Sequence, residues 1–261
     1  VAKQAGRADT LFVLWRPITT TTASLLAFFA LVGRNIGESV APRTCVFCGV
    51  CCGQEQGAIC TACHADLPWI ENACRQCASP VLSKLPDGVR CAACQLDAPP
   101  FESAIAPLLY AFPIDAAIKA MKFRRKLFYV PAFVHLLAES LRYIPDDVDA
   151  LLPVPLHWRR QAVRGFNQAA EICRPIRKKT GIPLIANVTR SRATPYQSGL
   201  AAADRRRNLR AAFAVHGDVN ARHVLIVDDV ITTGQTCRSL AKVLLDAGAE
   251  KISVFAIARA S

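Results

Sequence analysis

Eight cysteines in the first hundred residues fall into four pairs of identical spacing: "CVFC" (Cys45, Cys48), "CTAC" (Cys60, Cys63), "CRQC" (Cys74, Cys77) and "CAAC" (Cys91, Cys94). Two thiolates on one tight knuckle span an edge of a coordination tetrahedron, so repeated Cys-x-x-Cys pairs specify tetrahedral zinc. Disulfide frameworks rarely repeat a two-residue spacing four times. Eleven residues separate the first two knuckles and thirteen the last two, which predicts a duplicated unit with one structural Zn²⁺ per two knuckles. Pairing in chain order is the expectation, with an interleaved arrangement as the alternative. Cys51 and Cys52 are spare thiols that read as packing residues. The density of Pro, Gly and Cys over residues 41–98 leaves room for short hairpins, with metal replacing a hydrophobic core. Reduced thiols of this kind place the chain in the cytoplasm.

Ahead of the cysteines, residues 1–40 form a poorly defined N-terminal extension. Its apolar run "SLLAFFALVG" is too short for a membrane span and reads as an amphipathic helix, or as sequence upstream of the true start. The formal net charge of +12 is unevenly spread: Lys and Arg number 8 against 7 acids in residues 1–100, and 24 against 13 in residues 101–261. That excess suits a polyanionic ligand in the second part, a phosphorylated metabolite or nucleic acid.

With 52% hydrophobic residues the chain can bury a sizeable core. Over residues 99–261 apolar strands alternate with helical patterns. Strands are expected at 104–112, 150–156, 222–230 and 251–260, and helices at 113–123, 130–141, 167–181 and 236–249. This pattern predicts an α/β domain, a mainly parallel sheet with helices on both faces.

In such a sheet, ligands bind at the C-terminal strand ends. The stretch "VLIVDDVITTGQT" (residues 224–236) runs a buried strand into Asp228 and Asp229, then into Thr232, Thr233, Gly234, Gln235 and Thr236 ahead of a helix. Two adjacent carboxylates repel unless a cation or hydroxyls face them. Gly234 permits close backbone approach, while the helix N-terminus and the Thr hydroxyls suit a phosphate. The carboxylates can accept hydrogen bonds from vicinal ribose hydroxyls or help hold a divalent cation. Anion and hydroxyl recognition in sequence describes a ribose 5-phosphate. Lys122 reads as a snorkelling helix lysine, and Asn167 reads equally as a ligand contact or a helix cap.

The stretch 224–236 resembles the signature of type I phosphoribosyltransferases, which binds 5-phosphoribosyl 1-diphosphate (PRPP). Taken in order, the four knuckles, "MKFRRK", "PVPLHWRRQAVRGFNQA", "RSRATPYQSGLAAADRRRNLRAAF" and this loop resemble the ComF family, over residues 41–261. The resemblance implies a double zinc ribbon at 41–98, a phosphoribosyltransferase fold at 99–261, and an association with competence for DNA uptake. It also implies that Asp228 and Asp229 meet the ribose hydroxyls, with Mg²⁺, and that Thr232 to Thr236 surround the 5-phosphate. Pro155, Leu156 and His157 would face the diphosphate with Arg160 nearby, and Arg164 joins the acid pair as a catalytic candidate. Arg192, Gln197, Arg205 and Asn208 match a hood over the site. Purine-salvage members of the wider superfamily carry a basic carboxylate where this chain has Thr232, which cannot serve as a base near neutral pH.

Two functions compete. One is a Mg²⁺-dependent phosphoribosyltransferase whose acceptor is not legible. The other is a non-catalytic competence accessory protein that binds single-stranded DNA or partners in the uptake machinery. Two zinc sites would turn the first hundred residues neutral to acidic, so DNA contact would fall to the second part. A redox role for the ribbons is weaker, because the spacing favours zinc.

Overall fold

Strand register explains why the apolar runs are continuous. In the computed structural model, which describes residues 44–52, 58–191 and 212–261, β1 (Ser103–Ile105) and β2 (Leu108–Leu109) share the outer edge of β7 (Lys251–Arg259). Strand β6 (His223–Ile231) lies inside β7, and β3 (Ala150–Pro153) lies beyond β6. All these pairings are parallel. Alternate residues of a strand face opposite ways. Val224, Ile226, Ile252, Val254 and Ala256 therefore pack with Leu240, Ala241 and Leu244 of α7 (Gln235–Asp246). Leu225, Val227, Phe255 and Ile257 pack with the other helices: Ile114 and Ile118 of α3 (Ile114–Arg124), Phe133 of α4 (Tyr129–Leu137), and Ile172 and Ile176 of α6 (Gln168–Thr180). Both faces are covered, as the sequence predicts. Each fully buried Leu, Ile or Phe contributes about 1.5–3 kcal/mol.

The elements differ from expectation where local chemistry intervenes. The strand expected at 104–112 is broken at Ala106 and Pro107, since proline has no N–H to donate to a ladder. The freed Pro107 carbonyl accepts from Ile70 N (2.8 Å), and Leu109 N donates to Pro68 (2.8 Å). The segment after the first ribbon thus covers the sheet's outer edge. Helix α4 is shorter than expected and passes into a 3₁₀ turn at Ser140–Tyr143. Helix α5 (Trp158–Arg164) and the antiparallel pair β4 (Val188–Arg190) with β5 (Phe213–Val215) were not anticipated. The hood positions Arg192, Gln197, Arg205 and Asn208, and the extension 1–40, lie outside the described residues.

The two ribbons repeat the hydrogen bonds of their first knuckles. Cys45 N donates to Val50 and Cys74 N to Ser79, both at 2.8 Å, while Gly49 N and Ala78 N close back on Cys45 and Cys74. Cys60 and Cys91 each begin a short helix, α1 (Thr61–Ala65) and α2 (Ala92–Leu96). Both knuckles need a left-handed residue after the second cysteine. Gly49 (φ 76°) meets that at no steric penalty, whereas Ala78 (φ 56°) bears a strain of about 1 kcal/mol. Ribbons and sheet belong to one compact unit, Arg43–Ser261.

Candidate functional site

The sulfurs of Cys45, Cys48, Cys60 and Cys63 all lie within 4.8 Å of one another, as do those of Cys74, Cys77, Cys91 and Cys94. Zinc–thiolate bonds of about 2.3 Å put sulfurs at tetrahedral corners about 3.8 Å apart. The Cys48–Cys60 and Cys77–Cys91 sulfurs are separated by 3.7 and 3.6 Å. Both tetrads therefore fit a structural Zn²⁺, and the knuckles pair in chain order.

Asp228 and Asp229 lie near the C-terminal end of β6, and what sits against them is a lysine. Asp229 Oδ2 is 2.6 Å from Lys122 Nζ, with the carboxylate 4% exposed and the lysine 21%. The other Asp229 oxygen accepts from Val230 N (3.0 Å), and Asp228 Oδ1 accepts from Asp229 N (2.8 Å). Lys122 follows the fully buried Met121 on α3, so the buried face of that helix carries the ammonium to the strand end. The sequence reading of Lys122 as a snorkelling residue is corrected here: its partner lies on a distant strand and leaves no local trace.

Three arginines join this lysine. Arg164, at the end of α5, lies over the Phe123 ring (5.8 Å) and donates to Gln168 Oε1. Burial draws its guanidinium below the ordinary value, with Asp229 opposing and Arg160 assisting. Arg190 of β4 lies over Phe213 (5.3 Å); burial lowers it too, Arg160 assists, and Asp228 opposes. Asp228 is pushed well above the carboxylate range, first by burial and then by the Asp229 charge, with Lys122 opposing. Lys122 thus pairs with Asp229, Arg164 and Arg190 each act on one carboxylate of the pair, and Arg160 is a like charge beside both arginines. Sequence reasoning misread Lys122 and missed Arg190.

The remaining positions have mixed placements. Pro155, Leu156 and His157 connect β3 to α5. His157 is buried, its Nδ1 accepts from Arg159 N (3.3 Å), and its backbone bridges to Arg190. Asn167 is a cap, accepting from Ala169 N (3.0 Å), and its Nδ2 also ties α6 to Val154 (3.0 Å). Thr232 and Thr233 are exposed. Gly234 has φ 74° and caps α7, a backbone conformation that L side chains rarely adopt. First-turn amides of a helix lack intrahelical partners and favour an anion. Elsewhere Asp147, His223 and Ser253 line up at 2.8 and 2.9 Å like a hydrolytic triad. Ser253 is fully buried beside Ser103, so that alignment is structural.

Fold and site together define a double zinc ribbon joined to a parallel α/β domain whose strand ends gather an acid pair and four cations. A family model described as double zinc ribbon domain matches residues 36–95. "DNA utilization protein YhgH" of Escherichia coli strain K12 is 33% identical over 225 residues, 84% of this chain and 97% of that protein. The Salmonella typhimurium protein of that name is 32% identical, with the same coverage of each chain. "Competence protein F" of Haemophilus influenzae is 34% identical over 65% of this chain and 78% of its own. The chain belongs to this ComF family. A purine phosphoribosyltransferase from Pyrococcus horikoshii is 19% identical over 51% of this chain and 83% of that one, with a TM-score of 0.32. Among the described residues no helix is long and apolar enough to cross a membrane.

Proposed function

We propose that the C-terminal strand ends of residues 99–261 bind PRPP with Mg²⁺, behind a ribbon domain at 41–98 and an extension at 1–40, in a cytoplasmic protein. The observation that carries this is the acid pair of β6, with Asp229 held by Lys122 at 2.6 Å, at a strand end that runs directly into the Gly234 loop and the start of α7. Asp228, the more open of the pair, accepts from the ribose 2- and 3-hydroxyls and would also hold the cation, with Asp229 behind it on Lys122. Bound Mg²⁺ would supply charge neutralisation to the diphosphate. The loop from Thr232 to Thr236 presents amides and hydroxyls to the 5-phosphate. The β3–α5 connection (Pro155, Leu156, His157) and Arg164 face the diphosphate, where the arginines stabilise charge growing on the leaving group as the anomeric bond breaks. Thr232 provides no base, so an acceptor must already be nucleophilic or lose its proton to another group. Release of diphosphate from PRPP, screened across nucleobases and amines with and without Mg²⁺, tests the reaction. No release with any acceptor would reduce the proposal to PRPP binding.

A second reading is a DNA-uptake accessory role. The relatives' names and the 24 basic against 13 acidic side chains of residues 101–261 favour it. It predicts binding of single-stranded DNA that weakens steeply with salt. Affinity independent of salt would count against it.

A further inference from the structure

One side chain joins the second ribbon to the β6–α7 loop. Arg259, the last residue of β7, donates from Nε to the Cys77 carbonyl (3.1 Å) and from Nη2 to Ser79 Oγ (2.8 Å). Its Nη1 donates to the carbonyls of Ile231 (3.1 Å) and Thr232. Half of the guanidinium therefore holds the knuckle that carries a zinc ligand. The other half holds the two carbonyls where β6 turns into the loop. Its planar fork fixes the relative positions of all four acceptors, which a flexible ammonium cannot do.

A second arginine repeats the connection from the other side. Arg238 in the first turn of α7 donates to the carbonyls of Asp97 and Ala98, and its guanidinium is 3.3 Å from Asp97 Oδ2. Asp97 is the C-cap of α2, the helix that carries Cys94, and Arg238 N donates to Gly234 (2.8 Å). The loop 232–236 is thus bracketed by two arginines, each anchored within four residues of a ligand of the second tetrad. The first ribbon is placed differently. Cys45 and Cys52 join the core cluster on the α3–α4 face, and the Phe47 ring stands 6.2 Å from Tyr129 of α4.

We propose that the second zinc site is the support of the β6–α7 loop, with Arg259 and Arg238 as positioning residues that transmit its state. With Zn²⁺ held by Cys74, Cys77, Cys91 and Cys94, the knuckle presents the Cys77 carbonyl and Ser79 hydroxyl at fixed positions. Arg259 then holds the start of the loop against them. Without that metal the acceptors lose their fixed geometry and the loop is freed, whereas among the described residues no side chain bonds a ligand-bearing knuckle of the first site to the loop. The ligand consequence rests on the PRPP reading; the coupling does not.

The test is amide hydrogen exchange of residues 232–237 in the full-length protein, with zinc content measured alongside. Arg259→Met is expected to retain two zinc ions and ordinary exchange in β3. Its loop amides should exchange at least about ten-fold faster, the effect of losing charge-assisted hydrogen bonds. Arg259→Lys should restore part of that protection. Cys91→Ser should mimic Arg259→Met in the loop, and Cys60→Ser should not. Unchanged loop exchange in Arg259→Met and Cys91→Ser overturns the proposal, as does equal acceleration in Cys60→Ser. Should Arg259→Met fail to fold, Arg259→Lys and Ser79→Ala decide, and wild-type loop rates in both overturn the coupling. In parallel, PRPP affinity should fall about ten-fold in Arg259→Met. If the wild type binds no PRPP, the ligand reading fails while the exchange result still decides the coupling.

Discussion

Asp229 is nearly sealed from water, and a sealed carboxylate needs a cation. Lys122 supplies it at 2.6 Å. Lys122→Met should therefore destabilise the protein by about 2–3 kcal/mol, less than a wholly buried pair because the lysine keeps some solvent. The double variant with Asp229→Asn should recover most of that loss, which a double-mutant cycle by denaturant unfolding checks. Asp228 behaves oppositely. Burial and the Asp229 charge raise its carboxyl well above the ordinary range, so the folded chain holds that proton more tightly than the unfolded chain. The stability this group contributes is full below the ordinary carboxylate range and is lost as pH rises through the raised value. Asp228→Asn should accordingly raise the melting temperature at pH 7 by about 2–4 °C, roughly 1 kcal/mol. That gain would mark Asp228 as a residue that costs the fold stability at neutral pH and serves the proposed ligand instead.

Strand β6 is anchored at the end away from this site by a cluster of polar contacts. Asp147 meets His223 Nδ1 at 2.8 Å and Lys251 Nζ at 2.9 Å. Lys251 first and His223 second depress its carboxyl to about 2. A depressed acid contributes stability above its unfolded value, near 3.9, that is lost as pH falls toward 2. Asp147→Asn should lower stability at neutral pH and flatten the profile between about pH 4 and pH 2, so that variant and wild type converge at the acid end, as thermal melts across pH will show. At this scale the sequence was readable where one element carries its own signal. Strands β6 and β7 are long apolar runs, and α6 is bounded by Asn167 and Gly181 as its caps require. Helix α5, seven residues with no buried face, offers no periodicity to read. Three-residue β4 and β5 owe their existence to pairing with each other. Lys122 was misread and Arg190 missed for the same reason, since a charge contact between distant elements has no signature in either segment.

At the scale of the whole molecule, metal replaces core in the ribbons, whose thiols cluster in two tetrads. Metal analysis should find two zinc ions per chain, and strong chelators should unfold residues 44–98 ahead of the sheet. Because Pro68 and Ile70 bond to the edge strand and Arg259 bonds to Cys77 and Ser79, the sheet should lose protection at β2 and the end of β7 in the same step. The knuckles were legible from spacing, but spacing left their pairing open between chain order and an interleaved arrangement, and the sulfur positions decide for chain order. Their docking against the sheet was not legible, because it is made by backbone carbonyls that no residue type announces. Calorimetric titration of the zinc-loaded protein with PRPP and Mg²⁺ bears most directly on the central claim. Saturable one-to-one binding that depends on Mg²⁺ and is abolished in Asp228→Asn/Asp229→Asn is the expected result. Absence of binding, or binding unchanged in that double variant, would contradict the assignment of the β6 strand end as a ribose-phosphate site.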